Sequence, residues 1–116
     1  MINGTHLVFF SHDAEADRAF LRDVLGLQHV DAGHDWLIFK LPPAETGIHP
    51  TEGPAHSEIY FLCDDLERTL ADLAGRGVKV AEDRIETSWG MGSSFMLPSG
   101  ASVSVYQPRH PVAHSL

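Results

Sequence analysis

His6-Leu7-Val8-Phe9-Phe10-Ser11-His12-Asp13-Ala14-Glu15 and Glu58-Ile59-Tyr60-Phe61-Leu62-Cys63-Asp64-Asp65-Leu66-Glu67 are two versions of one pattern. Each is an extended apolar run, then an aspartate placed to cap a helix, then the first turn of an amphipathic helix. The stretches lie 52 positions apart, and the match continues with Ala19 on Ala71 and Leu21 on Leu73. A duplicated unit favours packing about a pseudo-twofold axis, which brings equivalent positions together. The leading pair is His6 and Glu58.

Reading outward, residues 5–10 are apolar and β-prone and predict a strand. Asp13 caps a helix to about residue 25, with Ala16, Ala19, Phe20 and Val24 on one face and Gly26 in the C-terminal cap position. Residues 28–31 and 35–41 predict two more strands, Pro42-Pro43 interrupts, and a short fourth strand is expected over 46–49. The Pro- and Gly-rich stretch 50–56 links the copies.

The second copy repeats the order. A strand is expected over 58–63, then a helix from Asp65 to about residue 74 with Leu66, Leu70 and Leu73 inward, then a Gly75-Arg76-Gly77 turn. Further strands are expected over 78–81, 93–97 and 101–107, with Pro98-Ser99-Gly100 as a tight turn. Each copy is therefore βαβββ and the class is α+β. We expect one domain over 1–108, with modules of about 1–52 and 53–108 and a loosely held tail over 109–116.

Composition narrows the function. The formal charge of -8 opposes binding to nucleic acid phosphates or an anionic membrane. No apolar stretch approaches the roughly 20 residues that span a bilayer, and Met1-Ile2-Asn3-Gly4 lacks the start of a signal peptide. Cys63 is the only cysteine, which excludes an intrachain disulfide and makes the cytoplasm the simplest expectation. On its strand Cys63 falls on the helix-facing side, as a buried, inert thiol.

Strand alternation separates two faces. Leu7 and Phe9, Ile59 and Phe61, and Val103 and Val105 form an apolar side for the helices. His6, Glu58, Tyr60, Ser104 and Tyr106 fall on the opposite, mixed side, which should line a concave surface. A glutamate opening an apolar strand calls for a cation, a donor such as His6, or solvent. Tyr60 and Tyr106 are candidate phenolic donors to a substrate oxygen, with aromatic packing as their commoner use. The other histidines, His12, His29, His34, His110 and His114, show no regular metal spacing and read as surface residues.

The ordered set resembles the glyoxalase/bleomycin-resistance/dioxygenase superfamily, the vicinal oxygen chelate fold. It comprises the duplicated βαβββ, a first helix ending in Leu25-Gly26-Leu27, the Asp64-Asp65-Leu66 helix entry, Trp89-Gly90, and Phe95-Met96-Leu97-Pro98-Ser99-Gly100. The resemblance covers roughly residues 4–108. It implies a cup-shaped sheet made by the two modules, helices on its outer face, a divalent metal ion (Zn, Mn, Fe or Ni) in the cup, and a homodimer.

By position, His6 matches the family's first-strand histidine ligand and Glu58 opens the second module, where histidine is more usual. Ser104 stands where the family usually has a glutamate, with Thr46 its counterpart in the first module. The implied metal ligands are His6 and Glu58, with His49 or His56 as a third; strand alternation places His56 on the Glu58 side if the strand extends that far. Glu58, Tyr60 and Tyr106 are the candidate catalytic residues.

Two functions follow. One is a small-molecule enzyme, a lyase, isomerase or dioxygenase, in which metal chelates neighbouring substrate oxygens and Glu58 is a ligand or general base. The other is a metal-free, bleomycin-resistance-like dimer that binds a cationic or aromatic small molecule. The acidic charge and the serine at position 104 favour the second.

Overall fold

The computed structural model describes residues 7, 9, 11–45, 52–54, 56, 58–88 and 90–111. The strands expected over 5–10 and 46–49 lie outside these residues, apart from Leu7 and Phe9.

The helix α1 spans Ala14–Asp23. Asp13 caps it, its Oδ1 accepting from the Ala16 N–H at 3.1 Å, while Glu15 and Asp17 in the first turn and Arg22 in the last complement the helix dipole. Gly26, at φ +67°, supplies the left-handed residue that ends it. Strands β1 (His29–Asp31) and β2 (Leu37–Phe39) form an antiparallel hairpin, with His29 opposite Phe39. At its tip, Asp31 Oδ1 accepts from Gly33 N–H at 2.7 Å.

The second half follows the same plan. Strand β3 (Tyr60–Leu62) leads into α2 (Leu66–Gly75), capped by Asp65, whose Oδ1 accepts from Arg68 N–H at 3.1 Å. Gln107 Oε1 accepts from the Leu66 N–H at 2.8 Å, which fastens the helix start to the end of the sheet. Strands β4 (Ile85–Glu86), β5 (Gly90–Met96) and β6 (Ser102–Pro108) complete a sheet ordered β3-β6-β5-β4. The β3–β6 pair is parallel and the others are antiparallel.

Several strands depart from expectation, β2 and β3 by being shorter than the expected 35–41 and 58–63. The strand expected over 78–81 is one antiparallel bridge, Val80 to Phe95, flanked by Met96 N–H to Lys79 O and Ala81 N–H to Ser94 O. The edge strand β4 is absent from the sequence reading: its two residues are exposed and carry no alternation. Strand β5 begins at Gly90 rather than Ser93, because glycines at 90 and 92 hide the apolar pattern that marks a strand. A Cβ at Gly90 would collide with the Gln107 carbonyl oxygen, so close strand pairing there requires glycine.

The core lies between α2, the inner sheet face and α1. Leu66, Leu70 and Leu73 pack on Phe95, Val103 and Val105, and Phe20 joins from α1. Phe95 is the centre, with ring centroids 6.2 Å from Phe20 and 6.4 Å from Phe61. Asp17 is the one buried charged residue among those described. Its carboxylate accepts from Ser99 N–H at 3.2 Å and Ser99 Oγ–H at 2.8 Å, tying α1 to the turn between β5 and β6.

Candidate functional site

Register puts the predicted mixed face on the sheet surface away from this core. Tyr60 pairs with Ser104, and Leu62 with Tyr106, across β3 and β6. Across β6 and β5, Tyr106 lies opposite Gly92, Ser104 opposite Ser94, and Ser102 opposite Met96. The floor is therefore made of small residues, with the tyrosines standing on it. Their rings meet edge to face, 5.6 Å between centroids.

Glu58 sits two residues before Tyr60 and shares a shallow cavity of about 270 Å³ with Phe9, Ile59, Ser102, Val103 and Ser104. Tyr60 donates its hydroxyl to Glu58 Oε1 at 2.6 Å, and His56 Nε2 lies 3.3 Å from Glu58 Oε2. The structure brings all three together, although strand β3 starts only at Tyr60 and does not extend back to His56. The Tyr60 phenol is pushed above its ordinary range, first by this bond to an anion and then by burial. His56 Nδ1 donates to the Pro54 carbonyl oxygen at 3.0 Å. Both ring nitrogens thus face acceptors, and the ring satisfies both only as an imidazolium. The histidine is accordingly raised above the ordinary imidazole range, by the Pro54 carbonyl first and Glu58 second.

Two residues that no sequence pattern singles out join Tyr106. His110 Nε2 lies 3.0 Å from the Tyr106 hydroxyl, and Glu45 Oε2 lies 3.8 Å from the same nitrogen. Burial raises the Tyr106 phenol, with the Glu45 charge the second cause. His110 follows Pro108 and lacks any metal spacing, so sequence alone assigned it to the surface. The signal that could have found it is its position just past the strand that carries Tyr106.

A larger cavity, about 540 Å³, lies between α1 and β2, against Leu7, Phe9, Arg18, Trp36, Phe39 and Leu97 among others. Leu7 is thus on the helix side, as alternation predicts, while Phe9 borders both cavities. Arg18 sits over the Trp36 ring at 4.7 Å. The cavity is bigger but contains none of the predicted site residues, and its buried carboxylate, Asp17, is already bonded to Ser99. Chemistry selects the smaller one. Cys63 is half-buried, and burial is the first cause that raises its thiol, as expected of an inert cysteine.

For a divalent metal, the described residues offer His56 and Glu58. Among them no group of three or more His, Cys, Asp or Glu side chains is placed to hold an ion. His6 and His49 lie outside the described residues. Ser104, paired with Tyr60 across β3 and β6, adds no carboxylate to His56 and Glu58. The described set therefore falls short of the three protein ligands that a catalytic metal uses.

The family model of the Glyoxalase/Bleomycin resistance protein/Dioxygenase superfamily matches residues 5–105. CFP32 of Mycobacterium tuberculosis, a candidate glyoxylase, is 35% identical over 99 residues, covering 78% of this chain and 38% of that protein. The chain thus spans well under half the length of that relative. Among solved structures, lactoylglutathione lyase from Agrobacterium tumefaciens superposes with a TM-score of 0.64 at 21% identity, over 90% of this chain and 92% of that one. TnmS3, an antibiotic binding protein from Streptomyces sp. CB03234, gives 0.62 at 24% identity, over 93% and 99%. At these identities the structures establish the fold, and the family rests on the match that runs along most of the sequence. The chain belongs to the Glyoxalase/Bleomycin resistance protein/Dioxygenase superfamily.

Proposed function

We propose that the chain binds a small organic cation with an aromatic part on the concave face, with Glu58 as its counter-charge. The observation that carries this is the Tyr60 hydroxyl donating to Glu58 at 2.6 Å. With that proton committed, the phenol oxygen and the carboxylate both act toward a ligand as acceptors. Beside them stand two aromatic rings, which attract cations at their faces. The floor of Gly92, Ser94 and Ser104 carries only small side chains. The formal charge of -8 draws a cation toward it. The likeness to an antibiotic binding protein agrees with this reading.

The test is titration with benzylammonium. Glu58→Gln is expected to weaken binding roughly fivefold, the scale of an exposed ion pair. Equal affinity in both proteins would remove Glu58 from the site.

One observation favours a second reading, metal-assisted chemistry. Two ligands of a tetrahedral ion with bonds near 2.0–2.1 Å stand roughly 3.3 Å apart, and His56 Nε2 and Glu58 Oε2 are 3.3 Å apart. When the His56 ring is neutral, its Nδ1–H donates to the Pro54 carbonyl and leaves Nε2 bare for an ion, the arrangement that orients metal-bound histidines. An ion held here with His6 or His49 would supply Lewis-acid stabilisation of a substrate oxyanion. Metal content of protein purified without chelator, in wild type, His56→Ala and Glu58→Ala, decides it. Stoichiometric metal lost in both variants supports this reading, and wild type without metal overturns it.

A further inference from the structure

His110 lies outside the sheet, yet its hydrogen bonds decide how Tyr106 meets a ligand. Its Nδ1 is 2.7 Å from the Pro111 carbonyl oxygen. A carbonyl only accepts, so Nδ1 carries the proton. In the neutral ring Nε2 is then the bare nitrogen and only accepts. The Tyr106 hydroxyl, 3.0 Å from Nε2, must therefore be the donor of that bond. Glu45 Oε2, at 3.8 Å, is beyond hydrogen-bond reach of the ring and does not compete for this arrangement.

We propose that His110 is a specificity-determining residue: by holding the Tyr106 proton it makes the Tyr106 oxygen an acceptor, so the face selects protonated amines over carboxylates. Among the described residues, the groups facing His110 are Tyr106 from β6 and Glu45 from the segment after β2, with Tyr60 of β3 behind the Tyr106 ring. Arg109, its neighbour, points away to Glu86 and the Thr87 carbonyl. Tyr60 is held in the same sense by Glu58. Both phenols on this face thus have their protons committed inward, one to a carboxylate and one to an imidazole. The His110 contact is a positioning role, exerted through Tyr106.

The ligand class rests on the cation-binding reading above; the hydrogen-bond direction does not, and the experiment separates them. The first arm uses no ligand. Nitrogen NMR of the full chain at mildly alkaline pH, where imidazole is neutral, should find His110 protonated at Nδ1, with the Nε2 resonance shifting in Tyr106→Phe. A ring protonated at Nε2, or no shift in Tyr106→Phe, overturns the proposal even if cations bind.

The second arm titrates benzylammonium and benzoate. His110→Leu should weaken benzylammonium about fivefold through loss of one oriented hydrogen bond and should narrow the preference over benzoate. His110→Gln, whose amide oxygen can still accept, should restore it. Equal affinity in wild type and His110→Leu overturns the selectivity claim. If wild type fails to bind benzylammonium at all, the cation-binding reading falls and takes the selectivity claim with it. The first arm then still decides the direction of the Tyr106 bond.

Discussion

Arg76 donates from Nη1 to the Val24 carbonyl oxygen at 2.7 Å, and these residues are the C-terminal caps of α2 and α1. They stand 52 apart, the offset of the sequence repeat. Both helices are 10 residues long and both start directly after an aspartate cap, so over the helices the repeat holds residue for residue. The pseudo-symmetry inferred from the sequence is thus a physical contact between equivalent helix ends. Arg76→Ala should cost about 0.5–1.5 kcal/mol, the range for a solvent-accessible hydrogen bond. Urea unfolding checks it, and an unchanged midpoint would mean that the two helix ends are not linked.

The buried Asp17 makes a stronger link between the halves. Its two bonds to Ser99 join α1 to the β5–β6 turn, and removing the carboxylate strands the Ser99 donors in a part-buried site. Asp17→Ala should destabilise by about 1–3 kcal/mol. Ser99→Ala keeps the backbone bond and should cost less. In the double variant the two losses should not add, because both remove one interaction.

Two glycines of β5 should respond differently. An added methyl at Gly90 meets the Gln107 carbonyl oxygen and the Tyr106 ring, whereas at Gly92 its nearest neighbours are at ordinary contact distance, 3.6 Å or more. Gly90→Ala should cost about 1–3 kcal/mol by overpacking. Gly92→Ala should leave stability nearly unchanged while narrowing the floor beside Tyr106. Thermal unfolding of both, with a benzylammonium titration of the second, checks the contrast.

The His56–Glu58 pair gives a pH dependence with a definite sign. The imidazolium gains partners on folding, so the folded histidine titrates above the unfolded one. Its contribution is fully present below the unfolded imidazole range and fades as pH rises through the higher folded value. Proton NMR should place the His56 midpoint above that of an ordinary histidine, with a fall toward it in Glu58→Gln. Both side chains are well exposed, so added salt should also lower it. A midpoint indifferent to Glu58→Gln would show that the pair does not form.

Much of this was legible in the sequence because it rests on local chemistry. Asp13 and Asp65 announce helix starts, and Leu66, Leu70 and Leu73 recur at helical spacing. Alternation placed Glu58, Tyr60, Ser104 and Tyr106 on one face without any coordinates. The edge strand β4 escaped because two exposed residues carry no periodicity. Glu45 and His110 escaped for a different reason. Their role depends on how two non-repetitive segments return over the sheet, and no spacing rule records that path.

The claim that the concave face is the binding surface is tested most directly by amide shift mapping with benzylammonium. Perturbations are expected at Tyr60, Gly92, Ser104 and Tyr106, saturating in wild type and weakening in Glu58→Gln. Perturbations gathered instead at Arg18, Trp36 and Phe39, in the cavity between α1 and β2, would contradict it.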